Sequence, residues 1–140
     1  MARLAAAGVP VGVMVAPIIP GLTDSDIPAI LEAARDAGAQ WAGRIMLRLP
    51  GVVDAVFEER LRATLPLRAE RVLSQVEACR GGTRSDPRFG SRMRGNGARW
   101  EAISQLFDAT VARLDFPGPP AEGPTTFRRP AVPSPQLSLL

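Results

Sequence analysis

The stretch "VGVMVAPIIPGLTDSDIPAILEAARDAGAQWAGRIMLRLP", residues 11–50, decides the fold class of this 140-residue chain. Residues 11–16 form a continuously apolar run, typical of a strand covered on both faces of a sheet, and residues 41–48 form a second strand. Apolar residues at helical spacing lie between them: Ile27, Ile30, Leu31 and Ala34. Such a crossover is normally right-handed, so the pattern predicts two parallel strands joined by a helix.

The rest of the chain predicts helices and no further strand. Residues 53–64, 66–79 and 98–114 carry apolar residues at helical spacing, and residues 117–135 contain seven prolines. A parallel sheet is buried on both faces and usually has four or more strands. We therefore expect the isolated chain to be poorly folded or to aggregate, because the inner edge of its first strand has no partner.

The composition excludes several kinds of site. All 17 basic residues are arginine, histidine is absent, and Cys79 is the single cysteine. Without histidine the chain lacks the usual general base and the commonest metal ligand. A single cysteine and the absence of any 18-residue apolar run predict a cytoplasmic protein without a membrane anchor. The arginine-only usage, with a net charge of +3, is interpreted as the codon bias of a GC-rich genome.

Three motifs carry a resemblance to a known family: "APIIPGLTD" at 16–24, "LRLPG" at 47–51 and "RFGSRMRG" at 88–95. With them, residues 3–116 resemble the radical S-adenosylmethionine (SAM) proteins, and most of all the DNA repair photolyase-like branch related to spore photoproduct lyase. Members of that superfamily have a partial, six-stranded β/α barrel. The resemblance implies an α/β fold in which this chain is the C-terminal third of the barrel, with residues 11–16 as the fifth strand and 41–48 as the sixth.

This resemblance also implies cofactors, namely a 4Fe-4S cluster and SAM, and a lyase-like radical enzyme. In the family the cluster is held by three cysteines on an early loop. Cys79 stands alone in a predicted helix and does not match that loop, so we expect a buried core thiol and no cluster ligated by this chain. The chain is interpreted as a truncated reading frame or a remnant that is inactive by itself, with four further strands on an upstream segment.

The ends of the two predicted strands are where the resemblance places the SAM pocket. It implies that Val15, Pro17 and Ile18 line the adenosine side and that Leu49 and Pro50 close the pocket. The alternative is that the prolines only end a strand. Arg48, at the same edge, is interpreted either as a partner of a substrate phosphate or of the SAM carboxylate, or as an ion pair with Asp54. Neither a catalytic residue nor a metal ligand is assigned.

A glycine-spaced segment after the predicted helix at 66–79 carries most of the clustered positive charge. Its arginines and Phe89 are residue types that contact nucleic acid, and the residues proposed for DNA contact are Arg88, Arg92 and Arg94. The alternative is a solvated loop whose arginines stack on the barrel or pair with helix carboxylates. Asp24 and Asp26 are interpreted as capping the helix that follows them.

The last five residues follow the proline-rich stretch, which predicts a disordered linker at 117–135 after a barrel part at 1–116. They resemble the bacterial sliding-clamp-binding pentapeptide at four of five positions: Gln136, Leu137, Ser138, Leu139 and Leu140. The alternative is an apolar C-terminus that arose by chance or that packs on its own domain. Three hypotheses follow: a radical SAM enzyme fragment, a non-catalytic nucleic-acid or clamp-associated module, and a pseudogene product without a stable fold.

Overall fold

The computed structural model of the chain describes residues 1–85, 93–121, 123 and 125–128. Its elements, in chain order, are α1 (Ala2–Ala6), β1 (Gly12–Ile18), a 3-10 turn (Asp24–Asp26), α2 (Ile27–Asp36), β2 (Trp41–Met46), α3 (Val53–Thr64), α4 (Pro66–Ala78) and α5 (Gly97–Arg113). This order confirms the mixed α/β class. None of the described helices is long and apolar enough to cross a membrane.

Strands β1 and β2 pair in parallel, as the crossover pattern predicts. Gly12 lies opposite Trp41 and Val15 opposite Arg44, and the register then shifts so that Ile18 lies opposite Met46. Pro17, which follows a cis peptide bond, lies within this irregularity. Within the described part of the chain the sheet has these two strands.

One face of the sheet carries the hydrophobic core. Val15 and Ile18 of β1 pack there with Ile27 and Leu31 of α2, and α4 and α5 complete the same cluster. A charged residue shares this face. Arg44 donates from its two Nη atoms to the Asp108 carboxylate on α5 at 2.5 and 3.0 Å, and its guanidinium lies 4.7 Å from the centroid of an α5 phenylalanine ring. Helix α5 therefore covers the sheet by pairing with an arginine as well as by apolar packing.

The opposite face, here called the open face, carries Met14, Ala16, Trp41 and Ile45. Met14 is 58% exposed, Ala16 is exposed, and Trp41 and Ile45 are half-buried. The Met14 side chain of β1 lies over Gly43 of β2, where a larger residue would not fit: a Cβ at Gly43 would lie 2.8 Å from Met14 Cε. Apolar side chains on this face are thus left in contact with solvent.

The two edges of the sheet differ. On the β2 side, Met46 N–H donates to the Met93 carbonyl at 3.2 Å, and Gly118 N–H donates to the Gln40 carbonyl at 2.8 Å. On β1, the Val11 carbonyl accepts from Gln40 N–H on the β2 side, so strand alternation up to the register shift after Val15 directs the backbone groups of Gly12 and Met14 away from β2. Those groups have no partner among the described residues. No described residue bonds to the outer edge of β1, whereas later residues bond to the β2 edge at its two ends, at Gln40 and Met46. Between those ends the outward backbone groups of Ala42 and Arg44 have no partner among the described residues.

The helices after β2 follow the predicted pattern in part. Val72, Leu73 and Val76 of α4 are buried, and so is Cys79, directly after the helix. On α3, Val53 and Val56 are exposed and Leu61 is buried, because α3 packs mainly against α4 rather than against the sheet. The apolar side chains of α3 therefore contribute less to the core than their helical spacing predicts.

The residues around the start of the proline-rich stretch pack on the body of the protein. Phe116 packs partly buried against the core, and the Arg35 guanidinium lies 5.8 Å from the centre of its ring. Arg35 Nε also donates to the Leu114 carbonyl at 3.1 Å. Together with the bond from Gly118 to Gln40, these contacts anchor the first residues of the segment predicted as a linker.

Candidate functional site

The carboxyl ends of β1 and β2 lie side by side, as the sequence predicts. Leu47 N–H donates to the Ile18 carbonyl at 2.9 Å. The six residues proposed for the SAM pocket divide into two groups there. Three are buried in the core, namely Val15, Ile18 and Leu49, and three reach solvent, namely Pro17, Arg48 and Pro50. The three buried side chains pack in the core at the strand ends, and the other three form part of the protein surface there.

Arg48 does not form the ion pair with Asp54 that was one of its two interpretations. Asp54 accepts instead from Arg84, at 2.7 Å from Nε and 3.1 Å from Nη2. Arg84 also pairs with Glu58 at 2.8 Å. The hydrogen bond to Asp54 raises the pKa of Arg84, and a hydrogen bond from Arg62 lowers the pKa of Glu58. Arg48 itself has no acidic partner among the described residues.

The arginines of residues 80–99 have different roles. Arg80 is buried and donates to the Leu47 carbonyl at 2.6 Å and to the Arg94 carbonyl at 3.3 Å. Arg84 pairs with acids of α3, and Arg99 pairs with Asp24 at 2.5 Å. Arg84 thus pairs with helix carboxylates, as the alternative predicts, whereas Arg80 donates to backbone carbonyls and Arg99 pairs with an acid of the 3-10 turn.

The residues proposed for DNA and clamp contact are mostly not described. The side chain of Arg94 is exposed, and none of the described acids pairs with it. Arg88 and Arg92 lie outside the described residues, and so does the peptide proposed for clamp binding, residues 136–140. Both assignments stay predictions from the sequence.

The prediction that Asp24 caps a helix is wrong. No side-chain cap bond is made at the 3-10 turn or at α2. Asp24 Oδ1 instead accepts from Gly21 N–H at 3.0 Å, and Oδ2 accepts from Arg99. The carboxylate thus joins the loop after β1 to the start of α5.

Cys79 is a fully buried core thiol, as predicted. Burial raises the pKa of this thiol, so its thiolate, which is the reactive form, is scarce at neutral pH. No described group of three or more histidine, cysteine, aspartate or glutamate residues could hold a metal ion. The residues of this chain therefore do not fit a 4Fe-4S cluster, which needs several thiolates.

We expect Cys79 in the folded chain to resist Ellman's reagent at pH 7.5 and to react within seconds once urea unfolds the protein. The reason is that the sulfur is both shielded and protonated. The absorbance of the released thiolate measures the reaction, and free glutathione is the control. A native rate similar to that of glutathione would show that the core opens freely around this residue.

Sequence reasoning missed a cleft of about 480 Å³ between α4 and α5. Arg68 and Arg71 line it on one side and Arg99 on the other, over the loop that holds Asp24. These residues come together from three separate segments, so no local spacing could indicate the cleft.

No protein-family model, no curated protein and no solved structure matches this chain.

Proposed function

We propose that this chain is the C-terminal portion of a radical SAM protein of the DNA repair photolyase-like kind. In this proposal β1 and β2 are the fifth and sixth strands of a partial barrel, and the chain is inactive by itself. The observation that carries the proposal is the asymmetry of the sheet edges. The β1 edge is open at Gly12 and Met14, whereas the β2 edge bonds to Met93 and Gly118.

That asymmetry agrees with the order of strands in an open six-stranded barrel. The sixth strand is an end strand there, and the fifth must pair on both sides. In this chain later residues bond to both ends of the proposed end strand, and no described residue bonds to the outer N–H and C=O groups of the strand before it. An unpaired edge beside exposed apolar side chains is a surface that natural proteins normally cover. A further parallel strand along β1 would satisfy these groups.

The two sheet faces support the same proposal. In β/α barrels the helices lie on the outside and strand side chains fill the interior. Helices α2 and α5 pack on one face, and the open face carries Met14, Ala16, Trp41 and Ile45. We assign the open face to the interior of the complete barrel. Its apolar residues then become buried when the other strands are present.

In the complete protein the residues of this chain would supply one wall of the cofactor site. At the strand ends Pro17 and Pro50 are exposed and Arg48 is half-buried, and Arg48 has no acidic partner among the described residues. A guanidinium there suits a carboxylate or a phosphate. When bound to a cluster, SAM supplies a radical that abstracts hydrogen. This chain has one buried thiol, so the cluster has to be held by the segment that carries the other strands.

Anaerobic reconstitution with iron and sulfide tests the proposal. We expect the 140-residue chain to retain no iron after desalting and to produce no 5′-deoxyadenosine from SAM. The same chain fused to the reading frame encoded upstream should bind about four irons through the loop of three cysteines. Four irons on the isolated chain, or none on the fused protein, would contradict the proposal.

A second candidate, a non-catalytic nucleic-acid or sliding-clamp-associated module, is favoured by one observation. The side chain of Arg94 is exposed, and no described acid neutralises it. Such an arginine is available to a phosphate backbone. The upstream reading frame separates the candidates, because a module of this kind requires neither four further strands nor a cysteine loop.

A further inference from the structure

The cleft between α4 and α5 carries arginine and apolar side chains on both walls. One wall comes from the first two turns of α4, with Leu67, Arg68 and Arg71, and the other from α5, with Arg99 and Leu106. The loop around Asp24 closes one end. A volume of about 480 Å³ is in the range of small-molecule sites, roughly 300 to 1,000 Å³.

Two of its guanidiniums are held in place by the same loop. Arg68 Nη2 donates to the Gly21 carbonyl at 3.1 Å, and Arg99 Nη2 donates to Asp24 at 2.5 Å. The Asp24 side chain is 12% exposed and is itself fixed by Gly21 N–H. Because each of these arginines uses one nitrogen for this contact, other N–H donors stay free for a ligand.

Arg71 completes the positive charge. It lies three residues after Arg68, on the same side of α4, and has no ion pair among the described residues. Three guanidiniums face one carboxylate in the cleft, so an excess of two positive charges is left uncompensated. Guanidiniums bind phosphate through paired N–H donors, and a phosphate dianion would balance this excess.

Apolar side chains lie next to the arginines. Leu67 is 99% exposed, and Leu106 on the facing helix is also exposed, with Ile103 deeper in the cleft. An isolated exposed leucine is ordinary, but two on the rim of a cationic cleft offer contact to an apolar group beside an anion. The chemistry therefore selects a ligand that has both a phosphate and an apolar part.

We propose that this cleft binds a small organic phosphate monoester. The phosphate is held among Arg68, Arg71 and Arg99, and the apolar group lies against Leu67 and Leu106. The site is on the helical side of the sheet, beside the loop that follows β1, and not on the open face. It does not depend on the proposed radical SAM function and can be tested separately from it.

Calorimetric titration of the 140-residue chain with phenyl phosphate, at low ionic strength, tests the site. We expect one saturable site per chain that weakens as salt is added. Inorganic phosphate should bind more weakly, and phenol should give no saturable heat. Absence of saturable phenyl phosphate binding would overturn the proposal, and so would equal binding of phenol.

Two exposed positions provide variants that should fold normally. Arg71→Gln should weaken phenyl phosphate binding about tenfold, because a charge-assisted contact is lost. Leu67→Ser should weaken phenyl phosphate about fivefold and leave inorganic phosphate unchanged. Arg60→Gln, an exposed arginine of α3 without an ion pair among the described residues, is the matched control. Equal affinity in Arg71→Gln and Arg60→Gln, with unchanged melting temperatures, would contradict the assignment.

Discussion

Replacing Arg80 with methionine is expected to lower the free energy of unfolding by about 3 kcal/mol, as measured by urea denaturation. Arg80 is 6% exposed, and its Nη2 donates to the Leu47 carbonyl at 2.6 Å. Its Nη1 donates to the Arg94 carbonyl at 3.3 Å. Methionine fills much of the same volume but leaves these acceptors without a donor, and each buried acceptor left unpaired costs about 1–3 kcal/mol.

Arg84→Met is the matched control for this loss. Arg84 is also an arginine in ion pairs, with Asp54 and Glu58, but its side chain is partly exposed and its partners can return to water. We expect a loss of about 1 kcal/mol or less for this variant. If Arg80→Met costs no more than Arg84→Met, Arg80 does not have the structural role assigned to it here.

Arg80 matters for the candidate site because of what it joins. Its bond to Leu47 fixes the carboxyl end of β2, directly before Arg48 and Leu49. The residue before it, Cys79, accepts from Asn96 N–H at 2.8 Å, which brings the start of α5 to the end of α4. The site proposed at the strand ends therefore depends on a residue that the sequence placed in an arginine-rich loop.

The features that could be predicted from the sequence are local ones. The apolar run at 11–16, the helical spacing of residues 27–34 and the second run at 41–48 are each contained in one element, and a crossover fixes their relative direction. The burial of Cys79 follows from its position directly after α4, where it continues the apolar side of that helix. Such patterns depend on neighbours within a few residues, so a short stretch of sequence is enough to predict each of these features.

The features that could not be predicted depend on distant partners. Asp24 has the position of a capping residue, but its partner Arg99 lies 75 residues away and outcompetes the cap. Arg44 pairs with Asp108, 64 residues away, on the face that also carries the core. The cleft of Arg68, Arg71 and Arg99 exists only because α4 and α5 come together. Charge alone does not distinguish an arginine that pairs internally from one that meets a ligand.

The second large effect is expected at the open edge of the sheet. Backbone N–H groups of Val13 and Val15 face β2, whereas those of Gly12 and Met14 face away from it. A hydrogen-bonded amide exchanges only when the structure opens, and an unpaired exposed one exchanges without any opening. In the folded, monomeric chain we expect Met14 to exchange at least about 100-fold faster than Val15, although the two residues are adjacent.

In the proposed barrel, β1 is an inner strand whose second partner is supplied by another segment. Amide hydrogen exchange of Gly12 and Met14, followed by NMR on a sample shown to be monomeric by ultracentrifugation, tests this most directly. The account predicts rapid exchange at both residues in the isolated chain, and slow exchange at both once the upstream strands are joined to it. Slow exchange at both residues in the isolated monomer would contradict it, because the β1 edge would then already be covered.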